Sequence, residues 1–147
     1  MDIIKVSNEP IYTEKLIDWL SELSQDGAVV TFMGKVRCFE KHMLSLFLEH
    51  YAGMTEKVLT NIISQARERW QLSRIAVIHR IGEISVNEQI VFVGVSSAHR
   101  SDAFAAAEFI MDVLKNQAPF WKKERTENGD VWIDAKKSDI ESLKKWY

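Results

Sequence analysis

Three segments of the chain carry apolar residues at the spacing of an amphipathic helix. The first extends from Thr13 to Leu23, and the second, which has the clearest apolar stripe, extends from about Thr55 to Trp70. The third begins near Ser101, a residue type favoured at helix N-caps, and ends before Pro119. Its predicted buried stripe consists of Phe104, Ala107, Ile110, Met111 and Leu114. The pattern therefore predicts three helices.

Alternating apolar and polar residues, or short continuous apolar runs, indicate seven strands. They cover residues 3–6, 28–37, 44–48, 74–81, 89–95, 120–125 and 130–133. The second and third strands are expected to pair as a hairpin, and Glu127-Asn128-Gly129 predicts a tight turn between the last two. The run Ile90-Val91-Phe92-Val93 is typical of a strand buried on both faces. The order of elements predicts one α+β domain, residues 1–147, with a largely antiparallel sheet.

Composition restricts the classes of protein to which the chain can belong. Of its 147 residues, 46% are hydrophobic and 27% are charged, as in an ordinary globular domain. The formal net charge of −2 disfavours a nucleic-acid-binding surface. There is no apolar run near the ~20 residues of a membrane span and no recognisable leader, and a single cysteine suits a reducing compartment. We therefore expect a cytoplasmic protein that binds neither nucleic acid nor membrane.

The junction from Ser96 to Ser101 is a candidate anion-binding site. A buried strand ends there and a helix begins, so unpaired backbone N–H groups and the positive end of the helix dipole face the loop. His99 and Arg100 would add side-chain donors. On the residues alone, a local salt bridge of Arg100 and a capping role for His99 are slightly favoured.

Two lysines follow that helix and its proline. Lys115 lies at the edge of the apolar stripe, where it could simply neutralise the helix C-terminus. Crowded by other cations, it would instead lose its proton more easily and could act as a base or nucleophile. Lys122 shares one strand face with Phe120 and Glu124, and on spacing alone it is a solvated edge-strand lysine.

The segment Gly34-Lys35-Val36-Arg37 adds two cations on one side of a strand. It is not a phosphate loop, because the preceding residues lack the required glycines. We expect the chemistry in one basic pocket, built from Arg37, His99, Arg100, Lys115 and Lys122.

Other kinds of chemistry have less support in the sequence. The four histidines show no metal-type spacing, and one cysteine cannot complete a zinc site. A lone thiol such as Cys38 is more often inert than reactive. The sequence also shows no recognisable Ser-His-Asp triad. We expect no metal, no cofactor, no catalytic cysteine and no paired carboxylates.

Taken together, several long motifs resemble the large, catalytic subunit of molybdopterin synthase over nearly the whole chain. They occur in the family's order, and the last is the most specific: residues 27–32 (GAVVTF) with 34–37 (GKVR), 48–51 (LEHY) with 53–57 (GMTEK), 77–82 (VIHRIG), 97–101 (SAHRS) and 118–122 (APFWK). The resemblance implies an α/β hammerhead-like fold.

The resemblance also implies a sulfur transfer in molybdenum-cofactor biosynthesis. In that family a small ubiquitin-like subunit carries a thiocarboxylate on its C-terminal Gly-Gly tail and inserts the tail into the large subunit. Two such sulfurs convert cyclic pyranopterin monophosphate (precursor Z) into the dithiolene of molybdopterin. The large subunits form a homodimer at the core of a heterotetramer.

The site residues implied by the resemblance follow from the matching motifs. Lys115 and Lys122 match the family's two essential lysines. The substrate-contacting positions match Lys35, Val36, Arg37, His99, Arg100, Lys123 and Glu124. Lys136 stands where family members have an arginine that reaches the neighbouring subunit's pocket, and a lysine there keeps the charge but loses the bidentate fork. The stretch from Cys38 to Met43 is shorter than its family counterpart, and we assign it no function.

Two other classes of protein are compatible with the residues. A non-catalytic module that docks a ubiquitin-like protein would need an apolar groove but not Lys115. An enzyme acting on another phosphate ligand would use the same basic pocket without a protein partner. A nucleic-acid binder is the weakest alternative, given the net charge.

Overall fold

The computed structural model describes residues 1–38, 43–118, 120–133 and 137–147. The elements in chain order are β1 (Asp2–Ser7), α1 (Thr13–Leu20), β2 (Ala28–Lys35), β3 (Met43–His50), α2 (Met54–Arg69), β4 (Ile75–Arg80), β5 (Gly82–Ser85), β6 (Gln89–Ser97), α3 (Arg100–Gln117), β7 (Phe120–Thr126), β8 (Gly129–Ile133) and α4 (Lys137–Leu143).

The strands form two four-stranded sheets. Sheet 1 has the order β1-β4-β6-β2, in which β1 and β4 are parallel and the other neighbours are antiparallel. Sheet 2 has the order β5-β3-β7-β8 and is antiparallel throughout. The α+β class and the largely antiparallel pairing predicted from the sequence are confirmed.

Sheet 1 is covered on both faces, which explains the continuous apolar run in β6. On one face, Val91, Val93 and Val95 join a core that also contains the buried residues of α2 and α3. On the other face, Phe92 packs with Leu20 of α1 in a smaller cluster. Strand β4 alternates in the same way, so its residues 75, 77 and 79 face the α2 and α3 side.

The predicted hairpin between the second and third strands is wrong. β2 pairs with β6, whereas β3 pairs with β5 and β7. Both strands have alternating patterns that fit any partner, and their closeness in sequence suggested a pairing that the sheets do not contain. The hairpin between β7 and β8 is confirmed, with Gly129 at φ +119° in its turn.

The third helix differs from its predicted boundary and face. It begins at Arg100 with His99 as N-cap, not at Ser101. Phe104, which we expected in the buried stripe, is 62% exposed. The buried face is instead formed by Ala103, Ala106, Ala107, Phe109, Ile110, Val113 and Leu114. Small alanines let the helix approach sheet 1 closely, and they carry a weak hydrophobic signal in sequence.

Two short elements add to the predicted ones. β5 covers only four residues, and α4 brings the helices of the described residues to four where the sequence predicted three. α4 is succeeded by Trp146, whose ring packs edge-on against Trp70 and Phe109. Its indole N–H donates to Asp112 on α3 at 2.7 Å. These contacts hold the C-terminal segment on α2 and α3.

Candidate functional site

Lys115 and Lys122 line the same cleft, in which sheet 1, sheet 2 and the end of α3 meet. Among the described residues, the lining consists of His79, Leu114, Lys115, Ala118, Phe120 and Lys122. The arrangement follows from local geometry, because α3 ends at Gln117 and β7 begins at Phe120, so the chain reverses between the two lysines. The sequence-based expectation that these two amines share a site agrees with this placement.

His79 lies at the base of this cleft and is only 3% exposed. Its ring stacks on Phe120, with 3.9 Å between ring centroids and 20° between ring planes. Its Nδ1 atom is 2.8 Å from the carbonyl oxygen of Arg80. Since a carbonyl only accepts, Nδ1 carries the proton and Nε2 keeps a free electron pair.

The surroundings of His79 strongly favour its neutral form. Burial lowers the pKa of His79 to about 3, against the hydrogen bond to the Arg80 carbonyl, which raises it. The charges of Lys115, Lys122 and His50 lower this pKa further. A neutral imidazole therefore lies beneath the two lysines at any physiological pH.

A second histidine approaches this region from sheet 2. His50 is opposite Phe120 in the pairing of β3 with β7. Its Nε2 atom lies 3.3 Å from Oε1 of Glu56 at the start of α2. The other oxygen of Glu56 accepts a hydrogen bond from the backbone of Gly53 at 2.6 Å. The carboxylate is thus held by backbone while it faces the imidazole.

Lys123 lies on the opposite face of β7 from Lys122. Its amine is 5.2 Å from the ring centre of Phe47 and 5.1 Å from that of Trp132. It also forms an ion pair with Asp130 at 3.7 Å. Glu124 returns to the Lys122 face by strand alternation. Within this chain, Lys123 is therefore a cation packed on aromatic rings and does not line the Lys115 cleft.

The segment Lys35-Val36-Arg37 begins at the last residue of β2. The Lys35 amine donates to the Asn87 side chain at 3.3 Å. Val36 is 2% exposed, and its backbone bonds to Glu88 and Asn87 at 2.9 and 2.8 Å. Its side chain is thus part of the core, whereas those of Lys35 and Arg37 are exposed.

His99 and Arg100 are exposed at the other end of α3. Lys115 lies fifteen positions after Arg100 on the same helix, which corresponds to about 22 Å along its axis. Sheet 1 shows the same separation. Ser97, which lies just before His99, pairs with Ala28 at one end of β2, whereas Lys35 pairs with Gln89 at the other end. The expectation of one basic pocket is therefore wrong for a single chain: the cations lie at two ends of α3.

Some of the predictions concern residues that the structure does not describe, and others concern features that the described residues do not contain. Lys136, Pro119 and most of the stretch after Cys38 lie outside the described residues. Within them, no group of three or more His, Cys, Asp or Glu side chains could hold a metal ion. Nor is any described helix long and apolar enough to cross a membrane.

Sequence reasoning missed His79 as a site residue, although its motif was noted. The available signal was a histidine directly after four apolar residues of a strand, at the position that continues the row of Ile75 and Val77. A polar residue on a core-facing row must have a partner, and here the partners are the Arg80 carbonyl and the Phe120 ring.

Comparison with known proteins gives one consistent result. The family model described as "MoaE protein" matches residues 6–117. The chain is 53% identical to the molybdopterin synthase catalytic subunit of Escherichia coli (strain K12), over 97% of each chain. The molybdopterin biosynthesis MoaE protein from Burkholderia ambifaria MC40-6 superimposes with a TM-score of 0.85 at 39% identity, covering 99% of this chain and 98% of the other. A crystal structure of molybdopterin synthase from Staphylococcus aureus gives 0.82 at 35% identity, covering 88% and 95%.

Proposed function

The chain belongs to the MoaE protein family, and we propose that it acts as the catalytic subunit of a molybdopterin synthase. In this proposal it transfers sulfur from the C-terminal thiocarboxylate of a small ubiquitin-like subunit to cyclic pyranopterin monophosphate, forming the dithiolene of molybdopterin. Residues 1–147 act as one synthase domain in the cytoplasm. The observation that carries the proposal is the common cleft of Lys115 and Lys122.

A pair of lysines suits this reaction because both reactants are anions. The thiocarboxylate and the phosphate of the precursor each carry negative charge, so cations can hold donor and acceptor together. An amine in such a site can also move a proton or form a transient covalent bond. We assign the chemistry to Lys115 and a combined binding and chemical role to Lys122.

The remaining predicted binding residues are proposed to act from outside the described lining of this cleft, the buried Val36 by supporting Lys35 and Arg37 on either side of it and the others by contacting the substrates. They are Lys35, Val36, Arg37, His99, Arg100, Lys123, Glu124 and Lys136. The separation of about 22 Å along α3 prevents His99 and Arg100 from serving the Lys115 cleft of their own chain. We propose that they serve the cleft of the second subunit in a homodimer, as the core of a heterotetramer with two small subunits.

The requirement for a second polypeptide gives a direct test. The purified chain is incubated with the precursor and a small subunit bearing a C-terminal thiocarboxylate, and the pterin product is identified by mass spectrometry. We expect a pterin product that contains two more sulfur atoms than the precursor, and no product when the chain acts alone. The matched control is the same small subunit with a plain carboxylate. Dithiolene formed with that control, or without any partner, would contradict the proposal.

A further inference from the structure

One buried titratable group has no part in the function proposed above. His79 continues the core-facing row of Ile75 and Val77 on β4, but it is the member of that row that reaches the cleft. An apolar residue at this place would extend the core without leaving a polar atom to satisfy. The imidazole instead places a nitrogen atom with a lone electron pair in the cleft that two lysines line.

The two nitrogens of His79 have different roles. Nδ1 donates to the Arg80 carbonyl, which fixes both the tautomer and the ring orientation. Nε2 is the ring atom remote from that hydrogen bond, and it can only accept. The ring is also held flat against Phe120. His79 is therefore a fixed acceptor.

The charged groups around His79 come from each element packed against it. Lys115 lies on α3, Lys122 on β7 and His50 on β3, and Arg80 follows on β4 itself. Burial and the charges of Lys115, Lys122 and His50 keep the imidazole neutral, whereas the hydrogen bond to the Arg80 carbonyl opposes them. His79 is thus a poor proton acceptor but remains a good hydrogen-bond acceptor.

A neutral acceptor at this place combines two properties that neither a carboxylate nor a phenyl ring combines. A carboxylate would pair with the lysines and cancel the charge that attracts anionic reactants. A phenyl ring would offer the Lys115 amine no acceptor at this position. Imidazole can orient an amine and leave its charge available.

We propose that His79 is a positioning residue for the sulfur transfer, whose Nε2 atom accepts a hydrogen bond from the amino group of Lys115. This inference rests on the proposed function. Lys115 is exposed in the structure, so the bond forms when its flexible stem folds into the cleft over the bound anions. The imidazole then fixes the direction in which the amine meets the reacting carbon.

The first test compares three variants in the sulfur-transfer assay. His79→Phe keeps the ring on Phe120 but removes the acceptor, and we expect kcat to fall ~10-fold with KM changed less than ~2-fold. His79→Gln offers an amide oxygen and should recover part of the loss. His79→Glu should also be slow, because its carboxylate pairs with the lysines.

The pH dependence of kcat separates positioning from packing. Loss of an acceptor disfavours the ammonium form of Lys115, so the limb of the pH–rate profile that reports this lysine should move to lower pH in His79→Phe. A carboxylate favours the ammonium form, so the limb should move to higher pH in His79→Glu. A kcat of His79→Phe within two-fold of the parent would overturn the proposal. Equal losses of kcat in His79→Phe and His79→Gln, with unchanged pH–rate profiles, would also overturn it.

A second measurement does not require any His79 variant to fold or any turnover to occur. The chain is labelled with ¹⁵N-histidine and bound to the small subunit with a plain carboxylate, which cannot react. We expect Lys115→Ala to move the Nε2 resonance of His79 and leave Nδ1 in place, and Lys57→Ala to move neither. An unchanged Nε2 resonance in Lys115→Ala would refute the hydrogen bond. If the parent chain lacks sulfur-transfer activity, the proposed function fails, whereas this resonance still reports on His79.

Discussion

The ring of His79, from sheet 1, stacks on the ring of Phe120, from sheet 2, with centroids 3.9 Å apart. The contact joins the two sheets at the place where the cleft opens. Lys122 follows Phe120 by two residues on the same face of β7, so the stack sets the position from which this lysine leaves its strand. The site geometry therefore depends on how sheet 1 and sheet 2 meet.

Replacement of Lys115 by alanine should lower the rate of dithiolene formation by ~100-fold or more. The side chain is exposed, so its truncation should change the free energy of unfolding by no more than ~0.5 kcal/mol. Lys122→Ala should also lower the rate, partly by weakening precursor binding. The measurement is single-turnover kinetics with saturating partner and precursor.

Lys57→Ala is the matched control for both lysine variants, because Lys57 is an exposed lysine on α2. It should leave the rate unchanged. Near-normal turnover of Lys115→Ala under the same conditions would remove Lys115 from the mechanism.

The chain should form a homodimer in solution. Edge strand β2 exposes Phe32 and Met33, at 43% and 51%, and edge strand β8 exposes Val131 and Trp132. Exposed apolar residues on open strand edges favour pairing with another chain. Light scattering at micromolar concentration should give twice the mass of the chain. A fully active monomer would contradict this expectation.

Mixed dimers should reveal whether one site uses two subunits. In a dimer of a Lys115→Ala chain with a His99→Ala/Arg100→Ala chain, one cleft receives both defects and the other receives none. We therefore expect about half the parental activity from purified mixed dimers, although each variant alone is strongly impaired. If the mixed dimers are no more active than the homodimers of the two variant chains, all these residues belong to the site of one chain.

Folding stability should decrease as the pH falls through the slightly acidic range. The folded-state pKa of His79 is lowered from 6.5 to about 3, so between these values the unfolded chain binds the extra proton. Stability is then greatest above pH 6.5 and is lost toward pH 3, by about 2 kcal/mol between pH 7 and pH 5. Denaturant unfolding at several pH values measures this dependence.

The control for that measurement is His79→Gln, which has no titrating group and should lose most of the slope. The pKa values of Glu9 and Glu88 are also lowered, by Lys5 and by the Ser85 backbone. The stability that these two carboxylates contribute is lost only when the pH falls through the usual pKa range of a glutamate and below it. The comparison is therefore made above pH 5. An equal slope in His79→Gln would show that another group is responsible.

Gly94 should not tolerate a side chain. A Cβ added there would lie 2.8 Å from an aromatic carbon of Phe92 and would also overlap the Leu20 side chain. Gly94→Ala should therefore destabilise the fold by about 1–3 kcal/mol, as measured by denaturant unfolding. A double variant with Leu20→Ala should be less destabilised than the sum of the two single changes, because the cavity receives the methyl group. Strict additivity would contradict this account.

The sequence predicted the long elements well because each carries a repeated signal. The apolar stripe of α2 and the uninterrupted core run of β6 each depend on many residues. Strand partners were less predictable, since β3 alternates in a way that fits several neighbours. β5 and α4 were too short to produce a period.

The candidate site was predictable in composition but not in arrangement. Lys115 and Lys122 were placed together correctly, because a helix end and a proline made the chain reverse between them. Arg100 was assigned to the same pocket because of its charge, although the helix predicted between it and Lys115 already implies a separation of about 22 Å. His79 depends on the meeting of two sheets, and no local pattern around residue 79 contains Phe120.

The two sheets are completed at different times as the chain leaves the ribosome. All four strands of sheet 1 have been made by residue 97, whereas sheet 2 must wait for β7 and β8, which extend to residue 133. Because chains begin to fold from the N-terminus during synthesis, β3 and β5 should meet well before β7 is available. An unfinished chain can thus assemble sheet 1 with His79 in place but has no Phe120 or Lys122 to form the cleft. Reactivity is acquired only with the last quarter of the polypeptide, after the part that gives the protein most of its core.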